Sequence, residues 1–288
     1  MNVTRRMLFI SLLAVVAATM VWWSQVMISD KFFQPTYRAD RLFKPYGEEI
    51  YRVAQRIERG KAISSAEVKT LSGGINRRYG EDITLLFHAL GSHNIEAIGT
   101  LLAAGADPYM IDTPSKGSTR TFVYYLTLPG DPADPQSGFP FINQLINLYL
   151  KHGGDPDYHL GGANNDPLIA GVALINNYEG IELLLKAGAD SWSESANGDT
   201  AASLLAADGR SHKVLNRLID DGYFDNVPVP QLQRFMQALA GYLPRGDEIS
   251  LANQNIGRRV LKRHPEYPAD RHTERLFQGA DPVDGDRE

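Results

Sequence analysis

The 288-residue sequence contains no cysteine. That excludes disulfides, thiolate metal sites and a cysteine nucleophile, without fixing the redox compartment. It also lacks a positive excess: 29 Lys and Arg stand against 34 Asp and Glu, a formal net charge of -5. A nucleic-acid binder normally shows the opposite balance. There is no Gly-x-Ser-x-Gly elbow, no His-Glu-x-x-His pair and no Gly-x-Gly-x-x-Gly loop. The segment Pro114–Arg120 (PSKGSTR) lacks the residue order of a phosphate loop and reads as a long exposed turn. His88, His93, His152, His159 and His212 are scattered rather than set at metal-ligand spacing. His88 is expected on a helix face and His152 in a C-terminal turn, where it suits the helix dipole. Asp155, Asp157 and Asp166 cluster around glycine-rich turns. Cap and turn roles suit them better than calcium ligation. No enzymatic activity, metal or cofactor is therefore expected.

Apolar residues make up 43% of the chain and charged residues 22%, enough to build a folded core. One long uncharged run stands apart, Met7–Ile28 (MLFISLLAVVAATMVWWSQVMI), preceded by Arg5 and Arg6. As a helix it would extend about 33 Å, enough to cross a ~30 Å hydrocarbon layer. Trp22 and Trp23 lie near its far end, where amphipathic rings favour the headgroup region. A cleaved signal peptide is the alternative, but the apolar run continues past the small residues Val16-Ala17-Ala18. The expectation is an uncleaved anchor over residues 1–29 and a linker over 30–45. The paired arginines favour a cytoplasmic N-terminus, with the folded body outside the cytoplasm.

The body repeats itself. The stretch Ile83–Tyr109 (ITLLFHALGSHNIEAIGTLLAAGADPY) holds two short amphipathic helices closed by a Gly-Ala-Asp-Pro turn, and Ile169–Trp192 restates it. Closing glycines fall at Gly105, Gly153, Gly188 and Gly222, at intervals of 48, 35 and 34 residues. The long interval carries an insertion, 129–140, whose four prolines forbid a continuing helix. It separates a first helix at Thr121–Leu128 from a second at Phe141–Leu150. The turn before Thr121 is about four residues longer than the turn before Thr200. Glu48–Ile57 and Ala66–Leu71, the latter opened by Ser64-Ser65 and stopped by Gly73-Gly74, read as capping helices or a degenerate repeat over 46–79. Pro230–Leu243 and Asp247–Arg263 read as capping helices over 225–263, followed by a polar tail over 264–288.

Four helix pairs near a 33-residue period, each ended by a glycine, resemble the ankyrin repeat. That family opens its helix pair with Thr-Pro-Leu-His-x-Ala; here the box reads Thr84-Leu85-Leu86-Phe87-His88-Ala89, with the Pro and His replaced. The resemblance covers about residues 80–224. It implies an all-α ankyrin-repeat solenoid with helical caps, joined to one N-terminal transmembrane helix.

In ankyrin stacks the finger turns and first helices form a concave face that binds protein. The resemblance therefore singles out the large residues that follow each finger aspartate: Tyr109 and Met110, Tyr158 and His159, Trp192 and Glu194, with Tyr125 on a first helix. Tyrosine and tryptophan supply large contact areas at low entropic cost; the alternative for each is packing of one finger on the next. Some exported bacterial ankyrin proteins resemble this arrangement and are immunity proteins that mask secreted antibacterial toxins, including type VI secretion phospholipases. The resemblance thus implies an inner-membrane protein with its repeats in the periplasm, binding another protein and no nucleic acid. A structural adaptor in an envelope assembly is the alternative.

Overall fold

The computed structural model describes residues 38–129, 138–209, 211–241 and 248–267. The expected membrane anchor, most of the proline-rich insertion and all but the start of the polar tail lie outside these residues. Among the described residues no helix is long and apolar enough to cross a membrane. They form an all-α structure with no strand, only isolated antiparallel bridges at Ile111–Thr121 and His159–Pro167. The chain divides into two compact units, residues 1–97 and 98–288.

In the first unit, α1 (Ala39–Leu42) leads through a 3-10 turn at Lys44–Tyr46 into α2 (Glu48–Glu58). Ile50, Val53, Ala54 and Ile57 recur at helical spacing along α2 and are all buried. They pack toward α4 (Leu85–Gly91), every residue of which from Leu85 to Leu90 is buried. His88 is among them: its imidazole lies 4.8 Å from the Phe43 ring, and Nε2 bonds the Ala54 carbonyl oxygen at 3.0 Å. It is a core residue rather than a surface helix-face one, because α4 is enclosed on all sides. Between them, α3 (Ser65–Lys69) starts with a capping box in which Ser64 and Glu67 satisfy each other's backbone N–H. Glu67 also takes a fork of two bonds from the Arg56 guanidinium, 2.9 and 2.8 Å. Thr84 caps α4 by accepting the Phe87 N–H. Helix α5 (Ile95–Ala103) carries the chain across the boundary between the units.

In the second unit, α6 (Phe122–Tyr125) is a single turn that ends well before Leu128, the residue its apolar run reached. After the insertion come α7 (Phe139–Lys151), α8 (Leu168–Leu174), α9 (Tyr178–Lys186), α10 (Ala201–Ala207), α11 (His212–Asp220), α12 (Val229–Gly241) and α13 (Glu248–Arg263). Their contacts sort into two rows. The first helices α8, α10 and α12 touch in succession; the second helices pair α7 with α9 and α11 with α13. The last pair, α12 and α13, thus extends the same two rows.

The second helices α5, α7, α9 and α11 end alike. Gly105, Gly153, Gly188 and Gly222 have φ of 98°, 84°, 96° and 81°. In every case the residue after the glycine donates its N–H five positions back, to Leu101, Tyr149, Leu184 or Leu218. This is the Schellman termination, and its left-handed residue strains any side chain but glycine's absent one. Helix α2 ends the same way at Gly60, where Lys61 donates to the Arg56 carbonyl. The second helices are joined by Asn143 donating to Glu179 at 2.8 Å, by the Arg217–Glu182 ion pair and by Arg259 to Asn216 and Asp220.

Candidate functional site

The aspartate two residues after a closing glycine sets the geometry of each following turn. Asp107, Asp155 and Asp190 each fold a side-chain oxygen back onto the N–H two residues on, belonging to Tyr109, Asp157 and Trp192, at 2.8, 2.9 and 2.8 Å. These Asx turns aim the next side chain away from the helix end. Successive turns are also tied together. The Asp190 N–H donates to the Asp157 carboxylate at 2.7 Å, and the Ala196 N–H to the Asn164 carbonyl at 2.6 Å.

Where the projected residue goes depends on its neighbour. The Tyr109 ring leans on the Tyr158 ring, centroids 4.8 Å apart with the planes tilted by 34°. Its hydroxyl lies 3.1 Å from the Tyr149 hydroxyl and accepts the Asp155 N–H at 3.1 Å. The single Tyr149 hydroxyl proton is given to the Asp155 carbonyl at 2.8 Å, so Tyr109 must be the donor between the two hydroxyls. Three groups therefore form a closed ring of hydrogen bonds: Tyr109 to Tyr149, Tyr149 to the Asp155 carbonyl, and the Asp155 N–H back to Tyr109. Burial above all, with the negative charge of Asp155 nearby, pushes the Tyr149 hydroxyl far above the ordinary tyrosine range. It stays a neutral donor. Tyr109 nonetheless remains 37% exposed. Its ring is held in one orientation with part of its surface in water.

Trp192, at the corresponding place in the next turn, is only 9% exposed. Its indole meets Phe224 edge-on at 4.8 Å and Phe235 at 6.0 Å, and Nε1 donates to the Tyr223 carbonyl at 2.7 Å. The following repeat offers an aromatic socket, so this ring packs inward and presents almost no contact surface. That corrects the expectation that Trp192 serves as a contact residue.

The remaining expected contact residues are dispersed. Met110 is half-buried beside Tyr109. Tyr125 donates its hydroxyl to the buried Asp112 carboxylate at 2.8 Å and meets Tyr124 edge-on at 6.2 Å. The Arg120 guanidinium lies over the Tyr124 ring at 5.5 Å. His159 spans two turns: Nδ1 bonds the Asn165 carbonyl at 2.9 Å and Nε2 faces the Ser193 hydroxyl at 3.3 Å. Glu194 is half-buried and forms no ion pair among the described residues. The structure thus brings Tyr109, Tyr158 and His159 to one edge, and sets Trp192 and Tyr125 to other tasks.

Tyr149 is the residue of this edge that the sequence reading passed over. It sits inside an apolar helix and nothing in its spacing distinguishes it from core. Among the described residues no group of three or more His, Asp or Glu side chains is placed to hold a metal ion. A scan against protein-family models finds no match, and a search of the curated proteins finds none.

Proposed function

We propose that this chain is a membrane-anchored ankyrin-repeat protein whose repeats lie in the periplasm and bind another protein stoichiometrically, with no chemistry of their own. The most specific form of the reading is an immunity protein that masks a secreted antibacterial toxin, such as a type VI secretion phospholipase. Support for the ankyrin assignment comes from helix pairs with identical glycine terminations, linked by Asp-led turns. The observation that carries the binding reading is Tyr109: a large ring, partly in water, fixed by stacking on Tyr158 and by the hydrogen-bond ring through Tyr149 and Asp155. A preorganised aromatic edge loses little entropy when a partner covers it.

The test is affinity capture by the full chain from cell envelope extracts, followed by mass spectrometry, with Tyr109→Ala beside the native protein. A partner present in stoichiometric amount and lost on Tyr109→Ala is the expected result. Deleting the chain next to siblings that deliver the toxin should kill the deletion strain. Survival there, with a partner still captured, would replace immunity by an adaptor role; capture of nothing would overturn the binding reading.

A further inference from the structure

The turn that holds Tyr109 carries both signs, with Lys116 and Arg120 beside Asp107 and Asp112, but the two turns that follow it carry charge of one sign. Segments 153–166 and 187–199 together hold Asp155, Asp157, Asp166, Asp190, Glu194 and Asp199, and neither contains a lysine or arginine. Asp155, Asp157 and Asp190 are exposed. They form no ion pair among the described residues. The aspartates are linked to the rings and to one another through the backbone. Asp155 donates its backbone N–H to the Tyr109 hydroxyl, Tyr158 follows Asp157 in the chain, and Asp157 accepts the Asp190 N–H.

We propose that the Tyr109–Tyr158 edge receives an arginine side chain from the partner protein. The inference rests on the partner-binding reading above and gives that partner its chemistry. A guanidinium is flat, stays charged and is weakly hydrated, so it can stack on a tyrosine face while its N–H groups reach carboxylates. Tyr109 supplies the exposed ring face, and the carboxylates of Asp155, Asp157 and Asp190 supply the negative field around it. The same arrangement already occurs inside the molecule, where Arg120 lies over Tyr124 at 5.5 Å. A carboxylate or an uncharged apolar anchor would meet the same rings against that field, and repulsion or lost hydration would weaken it.

The probe is a fluorescent peptide of alternating glycine and arginine, compared with its citrulline counterpart, which keeps the shape and loses the charge. Fluorescence anisotropy with the full chain in neutral detergent should show the arginine peptide binding about tenfold more tightly than the citrulline peptide. The triple variant Asp155→Asn, Asp157→Asn, Asp190→Asn keeps the acceptors of the Asx turns, so the fold survives; far-UV circular dichroism checks this. It should weaken arginine-peptide binding about tenfold. Tyr109→Leu leaves the net charge unchanged and should still weaken binding about fivefold, whereas Tyr109→Phe keeps the ring and should bind within about twofold of native. Equal binding of the two peptides, or unchanged binding by Tyr109→Leu, would overturn the proposal. A captured partner whose affinity ignores the triple Asp→Asn change overturns it too, while leaving partner binding intact. Arginine-peptide binding with no partner captured counts against the partner reading alone.

Discussion

Trp192→Ala separates packing from recognition at the position where sequence and structure point in different directions. The indole is 9% exposed. Burying a tryptophan removes roughly 200 Å² from water, and at about 25 cal/mol per Å² this stabilises by about 5 kcal/mol. That figure is an upper bound, because an unfolded chain already shields part of the area. Truncations of buried tryptophan run at about 3–5 kcal/mol. The Tyr223 carbonyl also loses the 2.7 Å bond from Nε1, which adds about 1 kcal/mol. The expected loss is about 4 kcal/mol, against about 2 kcal/mol for Trp192→Phe, which keeps an aromatic ring in the socket but not the donor. The ring joins its turn to Phe224 and Phe235, so the damage should concentrate in α12 and the turn before it. Denaturant unfolding of the full chain followed by far-UV circular dichroism reads the magnitude, and hydrogen exchange reads the location. A loss under about 1 kcal/mol, with α12 amides as protected as in the native protein, would refute the buried-socket argument and return Trp192 to the contact surface.

Substitutions at four other positions test separate features. Asn94 caps α5 by accepting the Ala97 N–H at 3.0 Å, and donates to the Ile57 and Lys61 carbonyls at 3.1 Å each; Asn94→Ala should cost about 2–3 kcal/mol in denaturant unfolding. Asn94→Asp should recover only the capping share. Gly171→Ala, in the interior of α8, would place a methyl 2.7 Å from Thr127 Cγ2 and 2.9 Å from Leu160 Cδ1, so it should destabilise the fold in denaturant unfolding by about 1–3 kcal/mol despite alanine's better helix propensity. Gly241→Ala, with nothing within 4 Å, should be neutral or stabilising. Partial desolvation, at a side chain that still reaches water, holds His93 below its ordinary value of 6.5. The folded chain therefore binds that proton less readily than the unfolded one. The stability it contributes is complete above pH 6.5 and is lost as pH falls toward the depressed folded value. His93→Asn, which tolerates the left-handed backbone there (φ 51°), should flatten stability over that range.

The helices of the body were legible because their causes are local. Apolar spacing and glycine stops mark Gly105, Gly153, Gly188 and Gly222, and the observed terminations use those residues. Gly60 ends α2 with the same hydrogen bonds, yet no Ala-Asp-Pro follows it, so it carried no repeat signature in the sequence. The sequence places His88 on a helix face, and which face it takes was not legible: its burial follows from α2 and Phe43 closing over α4. Tyr109 and Trp192 occupy equivalent places after their aspartates, but one stays at the surface and the other sinks. The difference lies in Phe224 and Phe235, more than thirty residues further on, and no pattern near Trp192 announces it. The hydroxyl circuit through Tyr149 was hidden for the same reason: it joins positions forty residues apart.

Between Asn143 and Arg234, several links between neighbouring repeats span nearly constant distances along the chain: 33 residues from Asp157 to Asp190 and from Asn164 to Asn197, 34 from Asn143 to Asn177, 35 from Glu182 to Arg217 and 37 from Asn197 to Arg234. That regularity has a mechanical meaning. Tension applied along this part of the chain loads one set of links at a time, and breaking a set frees a single period of polypeptide. Each release lengthens the molecule by roughly 110 Å of extended chain, less the folded length given up. A force–extension trace should therefore show near-equal steps for the regular repeats and a longer one for the repeat that carries the insertion, and a repeat that has been pulled out can zip back against its neighbour without the rest having to unfold.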